Sequence, residues 1–419
     1  MLTKRVLILA NNPLSDGNSN GRTLKNFFDK SDKEQLAQIY IQGGDPDFEA
    51  CDRFFAVSDG AVLRAFLKRT TAGHEVFPCE TSTSFSNSAK GRKIKKTPLS
   101  ALLRDFFWNR KGWRRAVNEW IDRFSPEAVL LQAGDSPFMY RWAVRIAEER
   151  NVPLVIYNSE DYYFKKFDFM RSRGIARIFF PAFRRKLRRA VRNAVESAAV
   201  SIYITEDLKN TYDAEFAKPS EYIYTATEVK PNVDARTEGV FSYLGNLGIN
   251  RHKSLIKIAE ALARIDSEYK LDIYGKCPND EVQASFDACE AIRYHGLVEY
   301  STVRRVMAES TLLFHAESFE PFYRKDIRHG FSTKIADSLA SGSPFVLFAP
   351  PELSCTKYLR ANACAYVIDN EVELEPKLRE IIENSELRMA VTVRAVAVAA
   401  ENHNAEKNRV KMAKILNEL

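Results

Sequence analysis

Short apolar runs alternate with segments of helical periodicity along most of this chain, and that alternation sets the architecture. In the second half the runs fall near residues 240–244, 270–274, 292–295, 311–316, 345–349 and 365–368. Most of the gaps between them are long enough for the crossovers that parallel strands require. The pattern predicts a parallel, doubly wound sheet. The first half carries comparable runs at 6–10, 36–41, 128–131, 152–157 and 199–205. Helical spacing marks 61–68, 101–124, 138–146 and 407–416. Asp135 or Ser136 caps the third of these, with Pro137 in its first turn. Over 101–124 the apolar positions, among them Leu103, Phe106, Trp113 and Trp120, read as a core-facing stripe. Residues 70–100 are polar and Ser/Thr-rich and predict no element, and 227–239 read as an interdomain linker.

At 419 residues the chain exceeds one ordinary domain, and two of about 200 residues are expected. Hydrophobic residues make up 45% of it, enough for both halves to bury a core. No apolar run reaches the roughly 18 residues of a membrane span, and the apolar core near the N-terminus is too short for a signal peptide. Cys51, Cys79, Cys277, Cys289, Cys355 and Cys364 form no C-x-x-C pair, and none has a histidine at zinc-ligand spacing. They read as reduced thiols of a cytosolic protein, and no metal is expected.

The net charge of +7 is unevenly placed. Between Lys165 and Arg192 eleven Lys or Arg face the single acid Asp168, which leaves the rest of the chain slightly negative. A second basic stretch, from Lys90 to Arg115, has ten Lys or Arg and one acid, Asp105. In residues 165–192 the basic residues interleave with Phe167, Phe169, Met170, Ile175, Ile178, Phe179, Phe180 and Phe183. That composition suits an amphipathic segment on an anionic membrane, where each cation near the surface contributes roughly 1 kcal/mol. No nucleic-acid module surrounds it, so no specific nucleic acid is expected as partner.

The densest candidate chemistry lies in 311–349. A strand there runs into a charged loop, 317–330, after which Ser332 and Thr333 open a short helix ended by Ser341-Gly342-Ser343-Pro344. A loop and a helix N-terminus at the C-terminal end of a parallel strand is where open α/β sheets bind ligands. The first-turn N–H groups and the helix dipole favour an anion, and Lys334 adds a full charge. Asp337 follows on the same face, and a carboxylate, which only accepts, suits a sugar diol. Together these read as half of a nucleotide-sugar site; an ordinary capped helix with two surface charges is the alternative. Gly245 and Gly248, with Arg251 and Lys253, resemble a phosphate-binding turn, without the glycine spacing of a dinucleotide site. Glu160 and Asp161 sit at another strand end, and Gly21 at the turn after the first strand allows close backbone approach. His295, also at a strand end, reads as a packed histidine.

These residues resemble the donor-binding domain of retaining glycosyltransferases with the GT-B fold, and the resemblance covers most of the chain. That family's nucleotide-holding helix carries Glu-Ala-Met-Ala-x-Gly-x-Pro or a Ser-Lys-containing version. Its match here is Ser332, Thr333 and Lys334, then Asp337-Ser338-Leu339-Ala340-Ser341-Gly342-Ser343-Pro344. Transferases of bacterial capsule and surface polysaccharides are the group it leans towards. Three positions depart from the pattern. Asp337 replaces the ribose-binding Glu, His329 stands where the family has its other acid, and Asn246 replaces an Arg after the loop glycine.

The resemblance implies an α/β protein of two Rossmann-like, doubly wound domains facing across a cleft. Residues 1–232 would form the acceptor side, 233–400 the nucleotide-sugar side, and 401–419 a helix returning to the first domain. Ser332, Thr333, Lys334, Arg251 and Lys253 would hold the donor diphosphate, Arg251 in preference because its fork takes two oxygens at once. Gly21 would face the donor, Asp337 would bind the ribose, and Glu317 or Glu320 would contact the donor sugar. Glu160 and Asp161 would be the catalytic acids near the acceptor. The implied reaction moves a hexose from a nucleoside diphosphate sugar, of UDP or GDP, to a hydroxyl of a lipid-linked or polysaccharide acceptor. It proceeds with retention, without cofactor or metal, in the cytoplasm or on the inner face of the membrane. A nucleotide-sugar epimerase of the same fold, acting on a soluble substrate, is one alternative. A non-catalytic membrane- or RNA-binding relative is another, supported by Asp337 and His329.

Overall fold

The computed structural model describes residues 1–78, 96–232 and 237–419. Cys79, the start of the basic stretch at Lys90, and parts of the 70–100 and 227–239 segments lie outside the described residues. The chain forms two compact units, Met1–Tyr224 with Ala405–Leu419, and Thr225–Asn404. The sequence placed these divisions at 232/233 and 400/401.

In the first unit the strands are β1 (Val6–Ala10), β2 (Leu36–Tyr40), β3 (Arg53–Ala56), β4 (His74–Val76), β5 (Ala128–Gln132), β6 (Leu154–Asn158), β7 (Val200–Tyr203) and β8 (Ser220–Tyr222). They lie in the order β4-β3-β2-β1-β5-β6-β7-β8, all parallel except β4, which runs antiparallel to β3. The central strands β1, β2, β5 and β6 are buried along their whole length, as strands covered by helices on both faces must be. The stretch 101–124, expected as one helix, divides into Pro98–Trp108 and Arg115–Phe124. Asn109 caps the first, and Gly112 opens the turn between them. Trp113, Val117 and Trp120 are buried, whereas Leu103 and Phe106 stand at the surface instead of facing the core. The third helix starts after Ser136 with no side-chain cap; the Ser136 hydroxyl instead accepts from Arg104 at 2.9 Å.

The helix Ala405–Asn417 belongs to this first unit. Its Met412, Ala413 and Leu416 share one core with Leu2, Val6 and Ile8. Lys411 donates to the Tyr222 carbonyl at 2.9 Å, and Asn408 to that of Tyr224 at 2.8 Å.

The second unit has β9 (Phe241–Leu244), β10 (Leu271–Tyr274), β11 (Ile292–Gly296), β12 (Leu312–Ala316), β13 (Phe345–Phe348) and β14 (Tyr366–Ile368). Every pairing is parallel, in the order β11-β10-β9-β12-β13-β14. The order reverses between β9 and β12, which opens a crevice at their C-terminal ends.

The two ends of this unit are tied together. Thr227 bridges Asn404, and its N–H donates to the His403 carbonyl at 2.9 Å. Burial lowers the pKa of His403 to about 4, so its ring is neutral. Nδ1 lies 2.8 Å from the Thr225 carbonyl, which can only accept, so Nδ1 carries the proton. Nε2 then accepts from the Tyr358 hydroxyl at 2.9 Å.

Cys51, Cys277, Cys289, Cys355 and Cys364 are free thiols, and burial pushes Cys51, Cys355 and Cys364 up to about 12. Among the described residues no helix is long and apolar enough to cross a membrane, and no cluster of three metal-ligating side chains occurs.

Candidate functional site

Loops after β9 and β12 meet at the switch point of the second sheet. The chain turns through Gly245–Asn250, with Ile249 and Asn250 both at positive φ, and enters the helix Arg251–Ile265. Arg251 was expected to present its fork to a diphosphate. It is buried, and the fork is closed on Glu317: Nε donates to Oε2 at 2.8 Å and Nη2 to Oε1 at 2.6 Å. Nη1 bonds the Asn246 carbonyl at 3.2 Å. Glu317, expected at the donor sugar, is buried as well. Burial alone would raise its pKa, but the Arg251 charge and the His315 ring, 3.0 Å from Oε1, outweigh it and hold the carboxyl at about 2. Ser254 Oγ donates to the Glu317 carbonyl at 2.7 Å. The Arg251–Glu317 pair therefore braces the two loops and leaves little of either group for a ligand.

Lys253 and Glu320 stand further out. Glu320 accepts from Lys253 with one oxygen and from Asn250 at 3.0 Å with the other. An exposed pair of this kind contributes about 0.2–1 kcal/mol, so an incoming anion can draw Lys253 away cheaply.

The helix Thr333–Ala340 begins where the sequence placed it. Ser332 is its N-cap and accepts from the Lys334 N–H at 3.3 Å. Lys334 Nζ lies 3.3 Å from Asp337 Oδ2, on the same helix face. Asp337 Oδ1 accepts from Thr227 Oγ1 at 2.8 Å. Thr227 thus joins the site from a segment whose sequence predicted only a linker, and no local pattern marks it. His315 had a signal: two residues before Glu317 on a strand, it points to the same side. His329, in place of the family's other acid, is buried. His295, read as packed, is partly exposed, stacked on Tyr274 with centroids 4.4 Å apart and 2.7 Å from Asp272.

The helix ends at Gly342, with φ +89°, where a Cβ would lie 2.9 Å from the Asn232 nitrogen. Gly342→Ala meets both the left-handed backbone and that contact. It is expected to destabilise the second unit by about 1–3 kcal/mol, read as a lower urea midpoint.

In the first unit Gly21 is buried beneath its own loop, and a Cβ there would sit 2.2 Å from the Pro13 carbonyl. That contact within the loop accounts for the glycine without a ligand. Asp161, expected as a catalytic acid, is buried, and its Oδ1 accepts from the N–H groups of Tyr163 and Phe164, both at 2.9 Å, and from the Tyr212 hydroxyl at 3.1 Å. It shapes the loop after β6. Glu160 is the exposed member of the two, with Lys165 on Oε1 and Tyr162 donating to Oε2 at 2.8 Å.

Placement thus separates the expected set. Arg251, Glu317, Asp161 and Gly21 hold structure, while Lys334, Asp337, Ser332, Thr333, Lys253, Glu320 and Glu160 keep polar atoms nearer solvent.

No protein family model matches the chain, and no curated protein matches it. Its fold is shared with solved structures. HepE from Anabaena, in complex with UDP and glucose, superposes with a TM-score of 0.63 at 11% identity over 99% of this chain and 100% of that one. Sucrose-phosphate synthase from Thermosynechococcus elongatus gives 0.65 at 11% identity over 99% of both chains. WaaG, a glycosyltransferase involved in lipopolysaccharide biosynthesis, gives 0.57 at 13% identity over 98% and 99%. The likeness is one of fold and spans the whole chain: the architecture is GT-B, with two Rossmann-like sheets and the last helix in the first unit.

Proposed function

We propose that this protein is a hexosyltransferase. The second unit binds a nucleoside diphosphate sugar, and the first binds a lipid-linked or polysaccharide acceptor in surface polysaccharide synthesis. The observation that carries the reading is the β9/β12 switch point, where a helix N-terminus with Lys334 and Asp337 lies at the strand ends. A shared fold with HepE, solved with UDP and glucose, supports it.

In this reading the diphosphate lies at the N–H groups of Ser332 and Thr333, with the side chains of Lys334 and Lys253 on its charge. Asp337 turns from Lys334 and Thr227 to the ribose hydroxyls. The bond from the anomeric carbon to the β-phosphate oxygen breaks, and its electron pair leaves with the diphosphate. The acceptor oxygen bonds that carbon, on the retained face, and its proton passes to the leaving phosphate. Stabilising the charge on that phosphate is the main task, and a positioned cation with backbone donors performs it without a metal. Glu160 is the acceptor-side acid. Glu320 is the loop acid for the donor sugar, and Arg251 and Glu317 position the loops around it.

The first unit supports a peripheral membrane location. Phe66, Leu67, Leu103, Phe106, Ile175 and Ile178 are exposed, with Leu67, Ile175 and Ile178 each more than 70% accessible. They belong to packed neighbours: the Phe66 and Phe106 rings lie 6.5 Å apart, and the helix Pro98–Trp108 packs on the turn Gly174–Phe179. Exposed apolar groups beside Arg110, Arg173 and Arg177 suit an anionic bilayer surface. The rest of the basic segment differs from its sequence reading, because Phe180 and Phe183 face the unit's own core.

Calorimetric titration with UDP and GDP tests the donor site. Saturable binding of one nucleotide is expected, with Asp337→Ala weakening it about tenfold through lost ribose hydrogen bonds. A folded protein that binds no nucleoside diphosphate would overturn the proposal.

A further inference from the structure

A groove of about 540 Å³ lies along the helix Phe180–Ser197 in the first unit, with Phe180 and Pro181 in its lining. Its walls are cationic: Lys166, Arg184, Arg185, Arg188, Arg189 and Arg192 all line it. Only part of this charge is answered. Arg192 pairs with Glu196 and Glu215, and Arg188 lies 3.9 Å from the same Glu215. Both also donate to the Tyr163 hydroxyl. Among the described residues Lys166, Arg184, Arg185 and Arg189 have no carboxylate partner. Lys186, on the same helix, is spent elsewhere, paired at 2.6 Å with the buried Asp105. The helix therefore sorts its cations, one turned inward to a buried acid and five left around a concave space.

Crowding like charges around one cavity is unfavourable unless something of opposite sign enters. Burial, and then the charge of Arg188, lower the pKa of Arg184, against the opposing charge of Asp161. The groove also adjoins the loop after β6. Arg184 Nε donates to the Lys165 carbonyl at 2.7 Å, and Lys165 holds Glu160. A ligand in the groove thus lies one ion pair from the acceptor-side acid proposed above.

We infer that this groove is a binding site for a diphosphate or phosphate group carried by the acceptor. Planar guanidinium forks take two oxygens of a phosphate at once, and several converging forks suit a group of high charge density better than a lone carboxylate. The exposed Pro181 ring offers an apolar contact to the carbon chain attached to such a group. The identity of the ligand as an acceptor rests on the transferase reading; the anion site itself does not.

The test titrates the full-length protein with inorganic pyrophosphate while UDP saturates the donor site. Binding is expected to weaken roughly tenfold or more in Arg185→Ala/Arg189→Ala, and less in Lys166→Ala, and to fall with added salt. All three side chains are exposed, so the fold is kept, and UDP affinity stays within about twofold. No pyrophosphate binding, or binding undiminished in the double variant, overturns the inference. Pyrophosphate binding without UDP binding keeps the groove and overturns the donor-site reading. An oligonucleotide that depends on Arg185 and Arg189, with no pyrophosphate binding, overturns it in favour of a nucleic-acid surface. Phosphatidylcholine vesicles with and without a polyprenyl diphosphate separate the sources. Capture that needs both the lipid diphosphate and Arg185 with Arg189 marks a membrane-borne acceptor; pyrophosphate binding without capture marks a soluble one.

Discussion

Glu317→Ala is expected to destabilise the second unit by about 3–5 kcal/mol, the usual consequence of leaving one partner of a buried ion pair alone. Arg251 stays buried in that variant, with the Asn246 carbonyl as its remaining partner. His315 loses its contact too. A domain is typically stable by only about 5–15 kcal/mol, so a loss of this size lowers the urea midpoint of the second unit sharply. Glu317→Gln separates charge from shape, because it keeps an oxygen for Arg251 while removing the carboxylate. Acid titration gives a second readout. The folded carboxyl is held at about 2 against an ordinary 4.5, so its contribution is complete above 4.5 and lost as pH falls towards 2. The native protein should therefore lose stability across that window, and Glu317→Gln should lose correspondingly less. Equal acid sensitivity in both proteins would show that the pair does not set it.

Lys334→Ala is expected to lower kcat by about 10²-fold or more, the scale set by removing one preorganised group that stabilises developing charge. The variant keeps the helix, since Ser332 caps it through the Lys334 backbone rather than its side chain. Asp337 keeps its carboxylate, with Thr227 to hold it in the free state, so the ribose contact should persist. UDP affinity then drops less than kcat does, because the charge on the diphosphate grows as the anomeric bond breaks. Lys334→Arg should restore part of the rate by restoring the charge. A variant whose kcat is unchanged, with UDP bound as before, would remove Lys334 from the chemistry. Measuring kcat and KM separately, with whichever nucleotide sugar the titration selects, decides this.

The second sheet was legible because most of its strands are apolar runs bounded by turn residues, and each stretch expected as a strand from 240 to 368 became one. The helix opened by Ser332 was legible for a similar reason: its cap, its i and i+3 polar pair and its Ser-Gly-Ser-Pro end are all local. Long-range partners were not. Glu317 captures Arg251 from 66 residues away, and nothing near Arg251 tells a guanidinium closed on a carboxylate from one open to phosphate. Asp161 and Glu160 are adjacent in sequence, yet only the fold shows that Tyr212, 51 residues on, closes over the first. Gly21 carried the reverse problem, because a glycine needed for packing and one needed for a ligand look alike in sequence. The apolar residues of 101–124 follow one helical pattern, so their division between core and surface depends on which neighbours arrive.

The last helix carries a consequence for synthesis. Met412, Ala413 and Leu416 close the core that contains Leu2, Val6 and Ile8, while residues 225–404 close a core of their own. On the ribosome, the first unit therefore waits for residues made only after the whole of the second. A nascent chain paused before residue 405 carries a second unit able to fold and a first unit with an open seam along β1. That seam is the surface a chaperone would need to guard, and it shuts only when residues 405–417 leave the exit tunnel.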